Sequence, residues 1–537
     1  MKTLSACCAV CITLVSAQAA TKIWDGGGAN NQWGTADNWD LNTAPVGTDT
    51  LTFDGNTRTT STNNILAGTQ FNGINFAATA GTFRLSGNNI NLAGDIINLS
   101  TNTQTISNAL ALQQNIIIDS GSGEVVLGGV ISNAFSITKN GSGTLSLGGN
   151  NLYTGVILNQ GTINNTTSNS GVLGNGNLTM ANGTKIMNSN TGPFVSVVPS
   201  GSGNIQIAQS ATVTFDVVNS GSRASTGGNT FVGNATYGND VTIIKEGAGT
   251  LNLNQANAAF GSLAYNTYQV NAGKLEFSND VRLGAANNRI ILNGGGLYTS
   301  DNVTLNSGRI LTLNNTANEL EVNTSKILTI NTTNQLTGLG GFNKTGLGQV
   351  TIAANTTYQG ATTISSGTLL LTGTGNIASS ASIYVKAGAT LTNNSSSAIT
   401  NSTTLEEGAL IAGSSSFQPT TLSINGDIGD GLFSTFTLGS TPLLKSGNIV
   451  FTLSGVTSGV YTIFAGAAIS GSYSTMQINS TSLASTGSGN FFGTGGGYEY
   501  TYTNSNNELI IAVPEKPTWA ILAFAGTILM ILRRRAQ

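Results

Sequence analysis

Apolar residues in this chain come in short runs of three to six, bounded by Gly, Asn, Ser or Thr, as in Ile116-Ile117-Ile118, Val125-Val126-Leu127 and Leu369-Leu370-Leu371. Such runs with such borders are strand-and-turn punctuation. Between the two termini no stretch sustains the 3.6-residue period of an amphipathic helix. The pattern predicts a nearly all-β fold.

The strands are organised by a repeat. One copy runs Ile137-Thr138-Lys139-Asn140-Gly141-Ser142-Gly143-Thr144-Leu145-Ser146-Leu147, then Tyr153-Thr154-Gly155, then Gly161-Thr162-Ile163. Another runs Phe342-Asn343-Lys344-Thr345-Gly346-Leu347-Gly348-Gln349-Val350-Thr351-Ile352, then Tyr358-Gln359-Gly360, then Gly367-Thr368-Leu369. Lysine and tyrosine are 14 residues apart in both. A looser copy lies between them, with Lys245, Gly247 and Gly249 at its head and Gly273-Lys274-Leu275 at its end, lengthened around Ala259-Phe260. Lys-x-Gly-x-Gly reads as a turn, because glycine takes φ > 0 without steric penalty. The alternating Leu-x-Leu after it reads as a strand with one inward face. A strand-turn-strand unit of about 20 to 30 residues cannot bury its apolar side alone, so such units must stack. Stacking predicts a right-handed parallel β-helix, a solenoid in which asparagines at corresponding turns could form ladders along the axis.

Lys-x-Gly-x-Gly-x-Leu, Tyr-x-Gly and Gly-x-Leu in this order closely resemble the autotransporter-associated β-strand repeat. The resemblance covers residues near 137–163, 244–275 and 342–369. It implies a passenger-type surface protein, although the chain ends without the amphipathic strands of a membrane β-barrel.

Composition sharpens the picture. Only 8% of residues are charged, against about 25% in ordinary globular chains. Glycine, with 70 residues, is near twice its usual share. Disorder does not follow, because aliphatic and β-branched residues recur throughout. The chain contains no histidine, and its three cysteines, Cys7, Cys8 and Cys11, all fall near the N-terminus.

The ends fix the compartment. Met1-Lys2, an apolar run to Val15 and Ser16-Ala17-Gln18-Ala19-Ala20 make a secretory signal peptide over 1–20. Its removal leaves no cysteine, hence no disulfide and no thiolate metal site. At the other end Val513-Pro514-Glu515-Lys516-Pro517-Thr518-Trp519 precedes a short apolar run and Arg533-Arg534-Arg535. The run is shorter than the ~20 residues that span a bilayer comfortably, and the arginines would stay cytoplasmic. This three-part layout closely resembles a PEP-CTERM sorting signal, with Lys516 where a second proline is usual and Pro517 one place later. The resemblance implies a short C-terminal transmembrane helix and an exosortase-type processing enzyme as partner. It also implies transient inner-membrane anchoring, release to the cell surface or extracellular matrix, and a setting rich in exopolysaccharide. A processed chain keeps 15 basic and 22 acidic residues, a net charge of about −7, and no basic stripe suggests nucleic acid.

Three of the four tryptophans, Trp24, Trp33 and Trp39, cluster near the mature start. They read as an N-terminal cap over 21–60, with a sugar-stacking platform as the sharper alternative. The β-helix is expected over 61–432, a C-terminal β module, denser in aromatics, over 433–512, and the sorting tail over 513–537. For chemistry, the carboxylate clusters are Glu319/Glu321, Glu406/Glu407 and Asp427/Asp430. The first pair would share a strand face; adjacent Glu406 and Glu407 would not. None has the look of a catalytic or metal centre, and no cofactor is expected. The sequence therefore predicts a non-enzymatic structural or adhesive rod, with a carbohydrate-active β-helix enzyme (polysaccharide lyase or hydrolase) as the alternative.

Overall fold

The computed structural model describes residues 19–168, 171–196, 204–225, 230–231, 240–253, 265–428, 443–464 and 469–513. They divide into two compact units, one running to Val232 and one from Asn239 onward. Among the described residues there are strands, turns and three short 3-10 turns, and no α-helix. None of their helical segments is long and apolar enough to cross a membrane. The transmembrane helix expected near the C-terminus lies outside the described residues.

The first unit is a parallel β-solenoid with three faces. Its first face stacks ten strands from Thr21–Trp24 through Gly73–Phe76, Ile116–Asp119, Ser136–Asn140 and Gly155–Leu158 to Thr230–Phe231. Its second face runs from Thr60–Asn63 through Thr103–Ile106, Glu124–Leu127, Thr144–Leu147 and Thr162–Asn165 to Thr212–Val217. A shorter third face runs from Thr69–Phe71 to Ile131–Ser132. Like residues stack from rung to rung: Val125, Leu145, Ile163 and Ile186 are consecutive partners, and all are fully buried. Alternation fixes which side is which, since neighbours along a strand point to opposite faces.

The leading edge of this unit is covered. Trp24, Trp33 and Trp39 are all 0% exposed, and they pack with Phe53 at ring separations of 5.5 to 6.1 Å. Trp39 Nε1 donates to Trp33 O at 2.7 Å and Trp33 Nε1 to Ser61 Oγ at 3.0 Å, so each buried indole has its partner. The segment 35–42 also blocks the edge strand: Asp40 Oδ1 accepts from the Ile23 amide at 2.8 Å, and Asn38 O from the amides of Asp25 and Gly26. None of these three indole faces is left open for a sugar to stack on.

The second unit repeats the principle. Its first face runs from Thr242–Glu246 to Leu336–Thr337, its second from Thr250–Asn252 through Phe342–Thr345 and Thr362–Ile364 to Thr475–Ile478, and its third from Val303–Thr304 to Leu410–Gly413. Pairing along the second face is parallel as far as Asn448–Ser454 against Thr475–Ile478. From Thr481–Gly487 onward it is antiparallel, through Asn490–Gly495 and Tyr498–Thr503 to Glu508–Ala512.

Of the expected asparagine ladders, the described residues show pairs, such as Asn376 Nδ2 to Asn355 Oδ1 at 2.8 Å. Many buried asparagines instead bond to the backbone of neighbouring rungs. Asn151 accepts from the Ile131 amide and donates to Val172 O, both at 2.8 Å, tying three rungs together. Turns leave main-chain groups without ladder partners, and these demand satisfaction before amide side chains can pair with each other.

Candidate functional site

The repeat lysine is not part of the turn it introduces. Lys139 is the last inward-facing residue of Ser136–Asn140, paired with Ile118 on one side and Leu158 on the other, and it is 0% exposed. Lys344 holds the same place between Leu320 and Ile364 and is also 0% exposed. A lysine stands where every neighbour in the stack is aliphatic. Its stem packs as an apolar residue would, and its ammonium reaches the corner where the chain leaves the sheet.

There it meets three carbonyls. Lys139 Nζ donates to Asn140 O at 2.7 Å, Gly141 O at 2.8 Å and Gln160 O at 3.3 Å. Lys344 Nζ donates to Thr345 O at 2.7 Å, Gly346 O at 2.8 Å and Ser366 O at 3.1 Å. Lys245 repeats the pattern with Glu246 O, Gly247 O at 2.7 Å and Ala272 O at 3.2 Å. Two acceptors belong to the lysine's own turn and the third to the next rung, so each ammonium fastens consecutive rungs at a corner. Burial pushes Lys139 and Lys344 down to about 8, opposed by the nearby carboxylates of Asp119 and Glu321 respectively.

The glycines make the corner possible in two ways. Gly141, Gly247 and Gly346 have φ of +77°, +72° and +70°, which side chains rarely adopt. The next glycine answers to crowding: a Cβ on Gly143 would lie 1.8 Å from Gly123 O, and one on Gly348 2.2 Å from Asn323 O. Gly249, its counterpart in the middle copy, immediately precedes the strand Thr250–Asn252. The tyrosines are buried fillers. Tyr153 OH donates to Val172 O at 3.1 Å, and Tyr358 OH shares a 2.5 Å hydrogen bond with Thr362 Oγ1. Burial pushes both phenols well above their ordinary value.

The described carboxylates of these clusters are engaged, although Glu407 Oε1 is buried without a hydrogen-bond partner. Glu319 and Glu321 do share an outward face, but Lys274 Nζ bridges them, 3.1 Å from Glu319 Oε2 and in contact with Glu321 Oε2. Thr345 Oγ1 donates to the other oxygen of Glu319. Glu406 accepts from Tyr384 OH and from the Ala387 amide at 3.1 Å; Glu407 Oε2 accepts from the Asp427 amide at 3.0 Å. Asp430 lies outside the described residues. Among the described residues no three acidic side chains converge as a metal site would need. Of the sorting motif only Val513 is described, 63% exposed; Pro514, Glu515, Pro517, Arg533, Arg534 and Arg535 lie outside.

Residues 137–164 and 342–371 match the passenger-associated-transport-repeat family model. These are the first and last copies of the caged-lysine unit. The looser middle copy falls outside the matched residues, yet its lysine makes the same three bonds. The chain is also 34% identical over 132 residues to an adhesin, the BmaC autotransporter of Brucella suis biovar 1 (strain 1330). That stretch is 24% of this chain and 4% of the relative, so the chain spans a small fraction of the protein it matches. No solved structure matches.

Two further buried cations were not legible in the sequence. Arg309, 0% exposed, pairs with Asp280 at 2.7 Å and donates to Asn288 O and Gly284 O. Lys445, 5% exposed, donates to Asn504 O at 3.0 Å and Asn507 Oδ1 at 2.9 Å, holding the antiparallel strands to the last parallel rungs. Neither lies in a repeat copy, and both partner sets are remote in sequence.

Proposed function

We propose that this chain is an exported, non-enzymatic structural or adhesive protein of the cell surface or matrix. We propose further that it is sorted through its C-terminal exosortase-type signal, with transient anchoring in the inner membrane. The observation that carries the first part is where the repeat spends its charge. Each repeat lysine faces inward and fastens one rung to the next, so the motif builds a scaffold and presents nothing reactive. Likeness to an adhesin autotransporter supports a surface role. A glycoside hydrolase would need two carboxylates free to act across a bond. Of the candidate pairs the sequence offered, the one on a shared face, Glu319 and Glu321, is held by Lys274.

Fractionation of the native host with intact-mass analysis tests the proposal. The expected product begins near Thr21, lacks the residues after about 513 and lies outside the cell. A full-length chain held in the inner membrane would overturn the sorting route. A deletion strain that attaches and aggregates as well as its parent would overturn the adhesive role.

A further inference from the structure

The first unit carries a shallow polar groove of about 420 Å³ on the outward side of its second face. Its floor includes Gly123 and Gly143, and its walls are Thr103, Glu124, Ser142, Thr144, Asn164 and Met187. These residues come from five successive strand levels, so the groove runs along the solenoid axis. Successive levels are spaced by about 4.8 Å, close to the advance of one hexose in an extended, β-linked chain.

The walls form a connected array of hydroxyl, amide and carboxylate groups. Thr103 Oγ1 donates to Glu124 Oε2 at 3.2 Å, Ser146 Oγ to Glu124 Oε1 at 2.5 Å, and Asn164 Nδ2 to Ser146 Oγ at 3.4 Å. Asn164 points outward from its strand, between inward Ile163 and Asn165, yet it is only 7% exposed. Its Oδ1 has no hydrogen-bond partner. A buried acceptor left unsatisfied is costly, and here it lies in the wall of a groove whose other groups recur level by level. A single carboxylate and no free cation in the wall disfavour an acidic ligand.

We propose that this groove binds a neutral, extended, β-linked polysaccharide, one sugar facing each rung, with hydroxyls donating to Glu124 and Asn164. This deepens the adhesive reading above and rests on it. The groove supplies no second carboxylate, so it would hold the polymer and not cleave it.

Titration calorimetry of the processed chain with a β-1,4-linked glucose hexamer, and with a polyuronate hexamer of equal length, tests the proposal. Neutral hexamer should bind, and the polyuronate should bind at least tenfold more weakly. Thr144→Arg would plug the groove from an outward, half-buried position and should abolish binding while thermal unfolding stays unchanged; Asn164→Ala should weaken binding at least fivefold. Absence of binding to the neutral hexamer at millimolar concentration overturns the proposal. So does a Thr144→Arg variant that folds and binds as before, or equal affinity for the polyuronate. A host carrying Thr144→Arg separates the two readings: if it still attaches although hexamer binding is lost, the groove is not the adhesive contact and the surface role stands without it.

Discussion

A lysine stacked between Ile118 and Leu158 is an expensive choice unless its charge is met. Three carbonyls meet it, two of them from the lysine's own glycine-containing turn. Replacing Lys344 by Met keeps the stem and removes the ammonium, leaving three carbonyl oxygens short of a donor. The expected cost is about 3 kcal/mol, read as faster amide exchange confined to 342–371; exchange unchanged there would show that the cage contributes nothing. Titration gives a second check. Lys139 and Lys344 sit near 8 in the folded chain, whereas an exposed lysine titrates near ~10.4. Between these values the unfolded chain binds more protons, so these groups make stability rise with pH from about 8, by at most about 1.4 kcal/mol per pH unit and lysine. Below that window their contribution is flat. The buried phenols of Tyr153 and Tyr358 act oppositely, because unfolded tyrosines lose their protons above about 10 and the folded ones do not. Thermal unfolding temperature should therefore crest near pH 10, and Lys344→Met should flatten the rise before it.

Between residue and whole molecule, the covered edge of the first unit and the antiparallel strands of the second are the elements that decide where stacking stops. At the leading edge, Trp39 closes over Phe53 and donates to Trp33 O. Trp39→Ala should cost about 3–5 kcal/mol and expose the edge strand Thr21–Trp24. The sign would be a red-shifted tryptophan emission and new protease cuts between 20 and 60. A loss spread evenly over the first unit would contradict a local cap. In the second unit, Lys445 joins the 504–507 loop to the last parallel rungs. Its replacement by Met should raise amide exchange in 481–512 well before 443–454 responds; uniform exchange would show that the antiparallel strands dock without it.

The whole chain is poor in charge, and its three cysteines all fall within the first eleven residues. Its cohesion comes from stacked aliphatic rows and rung-to-rung hydrogen bonds, which neither reductant nor screening salt attacks. Unfolding temperature should stay within a degree or two between reducing and oxidising buffer, and between about 0.05 and 1 M NaCl. A fall of ten degrees in salt would mean that ion pairs such as Arg309–Asp280 carry more of the stability than the apolar rows do.

Much of this was legible in the linear sequence. Short apolar runs between Gly, Asn and Ser specified strands, and the spacing from Lys139 to Tyr153 and from Lys344 to Tyr358 specified a stacked repeat. Glycine at 141 and 346 announced a left-handed backbone. What the sequence could not give was the direction of the lysine, which reads as polar turn yet faces the core. Alternation fixes neighbours relative to each other, but which set faces inward is settled only when rungs stack, and Lys139's third acceptor, Gln160 O, lies a full rung further along. For the same reason Glu319 and Glu321 looked like a free pair until stacking brought Lys274 across to them. The groove at Glu124 and Asn164 is likewise a product of five levels lying in register. Local chemistry determined the strands, the turns and the repeat; stacking alone decided which side chains were buried, paired or left open to a ligand.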